Sequence, residues 1–178
     1  MTMLEQVILV DSDDNPIGLM EKMEAHRKAK LHRAFSVFAM NDNNEILLQR
    51  RALHKYHSGG LWTNTCCSHP RDGETVEEAA TRRLMEEMGF TCEVKRIFSF
   101  IYKAELDNDL TEHELDHVLI ARYNEDPNIN PEEVDSFDWK SVDWVAEDMK
   151  AHPEKYTEWF KIIYDRFLKY WHNENHGM

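Results

Sequence analysis

A short segment and the helix predicted after it contain side chains that could carry out acid/base or metal chemistry. Cys67 and His69 stand two residues apart, and Arg83 and Glu87 follow at a four-residue spacing, which places two side chains on one side of a helix. A thiol, an imidazole and a carboxylate can carry protons or bind metal ions. A free cysteine is more often a small buried hydrophobic residue, so Cys67 alone does not establish a site. The adjacent Cys66 should point the other way and is predicted to be structural.

Two carboxylates further along the chain could join this chemistry. Glu112 and Glu114 are separated by one residue in a strand-like run, so both side chains should project from one face of a sheet. By the same alternation, His113 and His117 should face the opposite side. A solvated strand face is the simpler interpretation of the two glutamates taken alone.

Histidines could supply the nitrogen ligands of a metal site. The chain has ten of them, and neutral imidazole is the commonest transition-metal ligand. His26 and His32 bracket a polar segment that we predict to be a loop, and His69 follows Cys67. Three histidines with carboxylates would suit Zn²⁺ or Mn²⁺, although any single histidine is more often a surface or core residue.

Basic residues could bind a diphosphate, because arginine forks match phosphate oxygens. The candidates are Arg50, Arg51, Lys55 and Arg83, with Lys22 as a further one, and each alone could equally be a solvated surface charge. Glu87 beside Arg83 suggests a Mg²⁺ ion bridged to phosphate oxygens, since Mg²⁺ usually takes only one or two protein carboxylates.

Three aromatic residues, Trp62, Tyr102 and Trp159, could line a site. Trp159 also belongs to the apolar face of a predicted helix, so a core position is the favoured interpretation. A tryptophan face can nevertheless stabilise a positive charge.

The element that must position Arg83 and Glu87 is the clearest helix in the sequence. Thr75 and Glu78 form a capping box, and Gly89 suits the position after the last turn. A buried stripe at four-residue spacing is predicted from Val76, Ala80, Leu84 and Met88. Ala79, Arg83 and Glu87 form a neighbouring stripe, so Arg83 and Glu87 should point into one site.

The remaining elements indicate an α+β fold with a mixed β-sheet sandwich and flanking helices, because strands and helices alternate without a regular βαβ repeat. Residues 7–10 and 17–20 are predicted to pair, and residues 35–40 and 45–50 to form a hairpin around an Asn-rich turn. Residues 92–104 and 114–123 should be strands. Residues 142–149 and 156–171 should be helices, and residues 172–178 a disordered tail.

Composition limits the class of protein. The 178 residues, 42% of them hydrophobic, fit one domain spanning residues 1–178. The net charge of −13 argues against nucleic-acid binding, and no apolar run is long enough to span a membrane. No signal peptide is apparent, and three cysteines without disulfide spacing favour a cytoplasmic protein. The oligomeric state is left open.

These motifs together resemble type 1 isopentenyl-diphosphate Δ-isomerase, an enzyme family with a Nudix fold. The resemblance covers roughly residues 5–165 and is most specific in the run from Trp62 to Pro70. In the Nudix pattern Ser68 replaces a glycine and Arg83 replaces a catalytic glutamate. The polar stretch between His26 and His32 and the loop 56–60 match the family less closely. The matching stretches are Glu21-Lys22 with His26 and Leu31-His32, Arg50 to Leu53, Trp62-Thr63-Asn64, Cys67, His69-Pro70, Glu74, Arg82-Arg83, Glu86 to Gly89, Tyr102 to Ala104, Glu112 to Glu114, and Trp159.

The resemblance implies a role for each of these residues. The family's Zn²⁺ or Mn²⁺ would be bound by His26, His32, His69, Glu112 and Glu114. Glu87, with the backbone of Cys67, would hold Mg²⁺ on the diphosphate, which Lys22, Arg51, Lys55 and Arg83 would contact. Cys67 and Glu114 would carry protons on opposite faces of the substrate, Tyr102 would hydrogen-bond near Glu114, and Trp159 would face a carbocation.

That activity would move a double bond by protonating one carbon and deprotonating another, interconverting isopentenyl and dimethylallyl diphosphate in isoprenoid biosynthesis. A thiolate at Cys67 would suit the deprotonation. Two alternatives remain: a Nudix hydrolase of a nucleoside diphosphate derivative, and a non-catalytic Nudix-fold binding module. Arg83 in place of a catalytic glutamate argues against the hydrolase. A binding module would have no need of Cys67 and Glu114.

Overall fold

A computed structural model describes residues 5–176 of the chain, which form an α+β fold around a mixed nine-stranded sheet. The fold class predicted from the sequence is confirmed. The strands are β1 (Gln6–Val10), β2 (Pro16–Glu21), β3 (His32–Met40), β4 (Glu45–Arg51), β5 (Trp62–Thr63), β6 (Cys66–Ser68), β7 (Val94–Glu105), β8 (Thr111–Arg122) and β9 (Val134–Ser141). The helices are α1 (Lys22–Arg27), α2 (Val76–Met88), α3 (Val142–Ala151) and α4 (Glu158–His176), with a 3₁₀ turn at Pro153–Lys155.

Strand β3 is the element that brings the distant parts of the sequence together. It pairs in parallel with β8, where His32 stands opposite Glu114, and antiparallel with β6, where Ser36 stands opposite Cys67. Residues paired across neighbouring strands point to the same face of a sheet, and so do residues four apart on one strand. This register therefore places the imidazole of His32, the thiol of Cys67 and the carboxylate of Glu114 on one face of neighbouring strands.

Two apolar clusters lie on opposite faces of β3. Phe35, Val37 and Ala39 pack with the buried stripe of α2, whereas Phe38 and Met40 pack with α4. The ring of Phe38 stacks on Phe167 of α4 at a centroid distance of 4.1 Å. The sheet is therefore covered by a helix on each side. Both faces of β3 carry apolar side chains.

Helix α2 follows its sequence prediction closely. Thr75 and Glu78 form both hydrogen bonds of the capping box, and Gly89 ends the helix in the left-handed region at φ 72°. A Cβ atom at Gly89 would lie 2.3 Å from the backbone oxygen of Asn128. The position thus requires glycine for its conformation and for the close approach of another segment.

Three local predictions need correction. The segment 26–32 is not simply a loop, because the Glu21 side chain accepts hydrogen bonds from the backbone N–H groups of Met23 and Glu24 and caps helix α1, which contains His26. The predicted hairpin pairs only at Met40 and Ile46, beyond which β3 pairs with β6 and β4 pairs with β5. The expected disordered tail is helical through His176, and residues 177–178 lie outside the described part.

The other elements agree with their predictions. Strands β1 and β2 pair antiparallel, and strands β7 and β8 form a long antiparallel pair. Among residues 5–176, no helix combines the length and the apolar character needed to cross a membrane.

Candidate active site

One pocket gathers most of the side chains singled out in the sequence. Its walls include Cys67 and His69, the acids Glu87, Glu112 and Glu114, and Trp159. Four of the five candidate phosphate ligands also line it: Lys22, Arg51, Lys55 and Arg83. His26, His32 and Tyr102 are buried next to these acids. The pocket is built by β4, β6, β8 and the starts of α1 and α4, with α2 along one side.

Four side chains converge as a candidate metal centre: His26, His32, His69 and Glu114 can each place one ligand atom within 4.8 Å of the others. Backbone carbonyls fix two of the imidazoles. His26 Nδ1 donates to Lys22 O at 2.7 Å and His32 Nδ1 donates to Lys30 O at 2.8 Å. In the neutral form of each ring, the Nε2 atom therefore carries the lone pair.

The Nε2 atoms of His32 and His69 face an oxygen of Glu114, which is itself a hydrogen-bond acceptor. His32 Nε2 lies 3.2 Å and His69 Nε2 3.0 Å from Glu114 Oε2, and His26 Nε2 is buried with no hydrogen-bond partner within residues 5–176. Each of these imidazole–carboxylate contacts needs a proton or a metal ion between its two atoms. Carbonyl bonds to the outer ring nitrogens are the usual support of metal-bound histidines, which favours the metal ion. The donor set fits Zn²⁺ or Mn²⁺.

Tyr102 connects the two glutamates of β8. Its hydroxyl lies 2.6 Å from Glu114 Oε1 and 2.9 Å from Glu112 Oε1. Burial, together with the charge of Glu114, raises the pKa of the Glu112 carboxyl. Tyr102 therefore holds both carboxyl groups in place beneath the pocket.

Cys67 is held as a thiol in this environment. Its Sγ lies 2.9 Å from Asn64 Oδ1 and 3.5 Å from Ser36 Oγ. The Asn64 amide donates to Val37 O and Cys66 O, so its oxygen must face the sulfur and accept from the S–H group.

Burial raises the pKa of the Cys67 thiol, and the nearby Asp116 carboxylate raises it further. Without a cation or a hydrogen-bond donor of residues 5–176 directed at the sulfur, this environment favours the thiol form, and the thiolate that would accept a proton at Cys67 stays a prediction. Cys66, in contrast, is fully buried in the α2 cluster as predicted.

Three of the four basic residues of the pocket are paired with carboxylates, whereas Arg51 donates to the backbone oxygen of His57 at 3.2 Å. Arg83 contacts Glu87 at 2.7 Å and Glu133 at 3.4 Å, and Lys55 contacts Glu133 at 2.5 Å. Lys22 contacts Glu5 at 2.6 Å. Arg83 and Glu87 thus point into one site, as their spacing predicts.

Arg50 does not take part in the pocket, although it was a candidate phosphate ligand. Its side chain donates to Gly60 O and lies 3.4 Å from Asp135. Arg51, the next residue of β4, lines the pocket instead.

Trp159 is both a core residue and part of the pocket wall, and its contact with a carbocation stays a prediction. Its side chain is only 3% exposed and packs in the α4 cluster, yet it also lines the pocket. The Arg51 guanidinium lies 5.1 Å from its ring centroid, and the His57 ring meets it edge-on at 5.5 Å. Trp62 does not line this pocket and packs beside Tyr156 in another.

Sequence reasoning missed several residues of this region. Asp116 lies on the same face of β8 as Glu112 and Glu114, so strand alternation could have identified it; its carboxylate accepts from Ser36 Oγ at 2.9 Å. His57 and Glu133 come from irregular segments that carry no periodic signal. His113 and His117 do face away, towards Ala29 O and Asp14.

Comparisons with known proteins agree with this geometry. The NUDIX domain model matches residues 30–160. The chain is similar to an isopentenyl-diphosphate Delta-isomerase of Pectobacterium atrosepticum, at 49% identity over 94% of each chain. It is also similar to one of Photobacterium profundum, at 53% identity over 89% of this chain and 92% of the relative.

Solved structures support the fold. A Deinococcus radiodurans protein superimposes with a TM-score of 0.70 at 20% identity, over 83% of this chain and 90% of that one. At that identity the likeness concerns the fold alone. The sequence relatives are far more similar, and the NUDIX model covers most of the chain. This chain therefore belongs to the isopentenyl-diphosphate Delta-isomerase family and is built on a NUDIX domain.

Proposed function

We propose that this chain interconverts isopentenyl diphosphate and dimethylallyl diphosphate, as a step of isoprenoid biosynthesis. The observation that carries the proposal is a single pocket with four cations in its walls, a buried thiol at Cys67 and a buried carboxylate at Glu114. The reaction needs these two kinds of group, because it adds a proton at one carbon and removes a proton from another.

The basic residues would hold the diphosphate. Lys22, Arg51, Lys55 and Arg83 all line the pocket. A diphosphate would replace or share the carboxylate partners of the two lysines and of Arg83. Glu87 lies beside Arg83 at 2.7 Å and, with the Cys67 backbone, would bind Mg²⁺ on the phosphate oxygens. Binding energy from this non-reacting part of the substrate can be used to dehydrate the reacting end.

The His/Glu centre would hold Zn²⁺ or Mn²⁺ through His26, His32, His69, Glu112 and Glu114. The metal would act as a Lewis acid that fixes and polarises the Glu114 carboxyl group. Tyr102, 2.6 Å from Glu114 Oε1, orients the same carboxyl group towards the pocket. Glu114 thereby occupies one defined position.

Proton transfer would be shared between Cys67 and Glu114. One group donates a proton to the alkene and the other accepts a proton from the neighbouring carbon of the resulting tertiary carbocation. The two roles exchange when the reaction runs in reverse. Trp159, buried and without a nucleophilic atom directed at the pocket, would stabilise the cation through its indole ring. No phosphate bond is broken.

A phosphate-cleaving activity is less well supported. Of the two acids at the end of α2, Glu87 lines the pocket, whereas Glu86 is turned to Arg82 and Arg83 on the outer side of the helix. The guanidinium of Arg83 stands where the Nudix pattern has a carboxylate. The helix therefore offers binding groups for a diphosphate but lacks the glutamate cluster that would hold several Mg²⁺ ions.

The test is an assay of the purified chain with isopentenyl diphosphate, Mg²⁺ and either Zn²⁺ or Mn²⁺, in which both the isomer and free phosphate are measured. The expected product is dimethylallyl diphosphate without phosphate. Cys67→Ala should abolish turnover, and Cys92→Ala, a half-buried cysteine outside the pocket, should not. Release of phosphate, or equal activity in both variants, would contradict the proposal.

The localisation of the protein and its partner follow from the same residues. We place the protein in the cytoplasm, since all three of its cysteines are free thiols. Its partner is a small isoprenoid diphosphate.

A further inference from the structure

His57 is the pocket residue whose position the proposed chemistry does not explain. It comes from the irregular segment between β4 and β5, yet only 3% of it is exposed. Its ring lies over His26 at a centroid distance of 6.0 Å, and Ser58 Oγ holds its Nδ1 at 3.1 Å. A loop histidine that is buried beside His26, a candidate metal ligand, could itself bind a metal ion.

His57 belongs to a second group of potential ligands. His26, His57 and Glu112 can each place one ligand atom within 4.8 Å of the other two, and all three are buried. Glu112 Oε2 lies 3.9 Å from His26 Nε2, while Glu112 Oε1 is the oxygen that Tyr102 contacts. The free oxygen of Glu112 is therefore directed at His26.

The second group shares His26 with the group of His26, His32, His69 and Glu114, and Glu112 is also a proposed ligand of that first centre. The Nδ1 atom of His26 is committed to Lys22 O, so Nε2 is its single available lone pair. One imidazole nitrogen coordinates one metal ion at a time. The two groups must therefore compete for His26 rather than act as two complete and independent sites.

We propose that His26, His57 and Glu112 form a second seat for a divalent cation of the Zn²⁺ class, alternative to the seat formed by His26, His32, His69 and Glu114. Two imidazoles and one carboxylate are a sufficient protein ligand set for Zn²⁺. Because His57 and Glu112 both line the pocket, a cation in this seat would lie at the pocket wall.

This inference deepens the metal part of the proposed function but is tested without it. The probe is Co²⁺ alone, added to metal-free protein in the absence of substrate, and the readout is the visible absorption of bound Co²⁺ with the stoichiometry of binding. The isomerase assay can therefore fail while this test succeeds, and the reverse also holds.

The decisive background is His32→Asn, which removes a ligand of the first seat and leaves the second seat complete. This variant should still bind one Co²⁺ ion. The double variant His32→Asn/His57→Asn should bind Co²⁺ more than about tenfold more weakly, since even outer-sphere changes around metal ligands cost about 10- to 100-fold. His69→Asn provides an equivalent background if His32→Asn does not fold.

The matched control is His32→Asn/His54→Asn. His54 lies in the same loop, but its side chain is largely exposed and faces Glu132, so this double variant should bind like His32→Asn. The second seat would be ruled out if the folded background variant bound no Co²⁺, or if loss of His57 changed binding no more than loss of His54.

Discussion

Between His32 Nε2 and Glu114 Oε2, two atoms that both present lone pairs lie 3.2 Å apart. We expect removal of metal to leave these atoms facing each other without a cation, and so to weaken the folded state. A ligand present at 100 times its dissociation constant stabilises a protein by about 2.7 kcal/mol. Thermal unfolding of the chain with and without Zn²⁺ or Mn²⁺ should show this gain. Glu114→Gln should lose most of it, and Glu105→Gln, at the exposed end of β7, should keep it.

A second residue-level prediction concerns pH. Burial, followed by the nearby Arg51 charge, lowers the pKa of His57 to about 2, below its unfolded value of about 6.5. The unfolded chain therefore binds a proton below pH 6.5 that the folded chain rejects, and stability falls with falling pH. The contribution of His57 is about 1.4 kcal/mol per pH unit.

Urea unfolding of metal-free protein at several pH values between 4 and 7 measures this dependence. The slope should be shallower in His57→Gln by about that amount, whereas His54→Gln should leave it unchanged. A slope that does not differ between wild type and His57→Gln would contradict the assignment.

The sequence predicted which side chains of this site lie together wherever they belong to one regular strand or helix. Strand alternation placed Glu112 and Glu114 on one face and His113 on the other, and helix spacing joined Arg83 to Glu87. The protonation state of Cys67 could not be predicted, because it depends on Asn64, Ser36 and Asp116 arriving from three different strands and loops. His57 was missed since an irregular segment has no period.

At the level of elements, the end of α2 offers a controlled test of glycine. Gly89 and Gly73 both have positive φ, at 72° and 87°, but only Gly89 is crowded, by Asn128. Gly73→Ala should cost about 1–2 kcal/mol of folding free energy from backbone strain alone. Gly89→Ala should cost about 1–3 kcal/mol more, because the Asn128 backbone must move. If Gly73→Ala and Gly89→Ala lowered the free energy of unfolding in urea equally, the contact with Asn128 would not be rigid.

Elements were predictable where local signals agree, as in α2 with its capping box, buried stripe and terminal glycine. The hairpin between β3 and β4 was predicted from its turn, but its strands separate after one pair because β6 then pairs with β3 and β5 with β4. Long-range pairing of this kind leaves no trace in the spacing of nearby residues. Helix α1 is only six residues long, which is too short for a periodic pattern.

For the whole molecule, the charge distribution suggests a prediction about substrate affinity. The chain carries a net charge of −13, and Glu5 at the pocket wall pairs with Lys22 at 2.6 Å. Glu5→Gln should release Lys22 for the diphosphate and lower KM about two- to fivefold, as expected for loss of one partly exposed ion pair. Glu24→Gln, whose partner Lys28 lies outside the pocket, is the control.

Salt separates this electrostatic effect from a change of shape. The difference in KM between Glu5→Gln and wild type should shrink as ionic strength rises, because salt screens partly exposed charges. A difference that persists at high salt would indicate that the substitution reshapes the pocket instead.

The overall architecture could be predicted from the mixture of strands and helices and from the family resemblance, and both are confirmed. The organisation of residues 1–178 as a single domain stays a prediction. The order of strands in the sheet could not be predicted, since it depends on which of several apolar strands pairs with β3.

The parallel pairing of β3 with β8 has a consequence for how the protein is made. His32 and Glu114 are 82 residues apart in the chain, so a ribosome synthesises His26, His32 and His69 well before Glu112 and Glu114. A nascent chain cannot complete its acid/base centre until β8 has emerged. A translation product that stops short of Thr111 would thus carry histidines able to take up metal ions, but no carboxylate from β8 with which to use them.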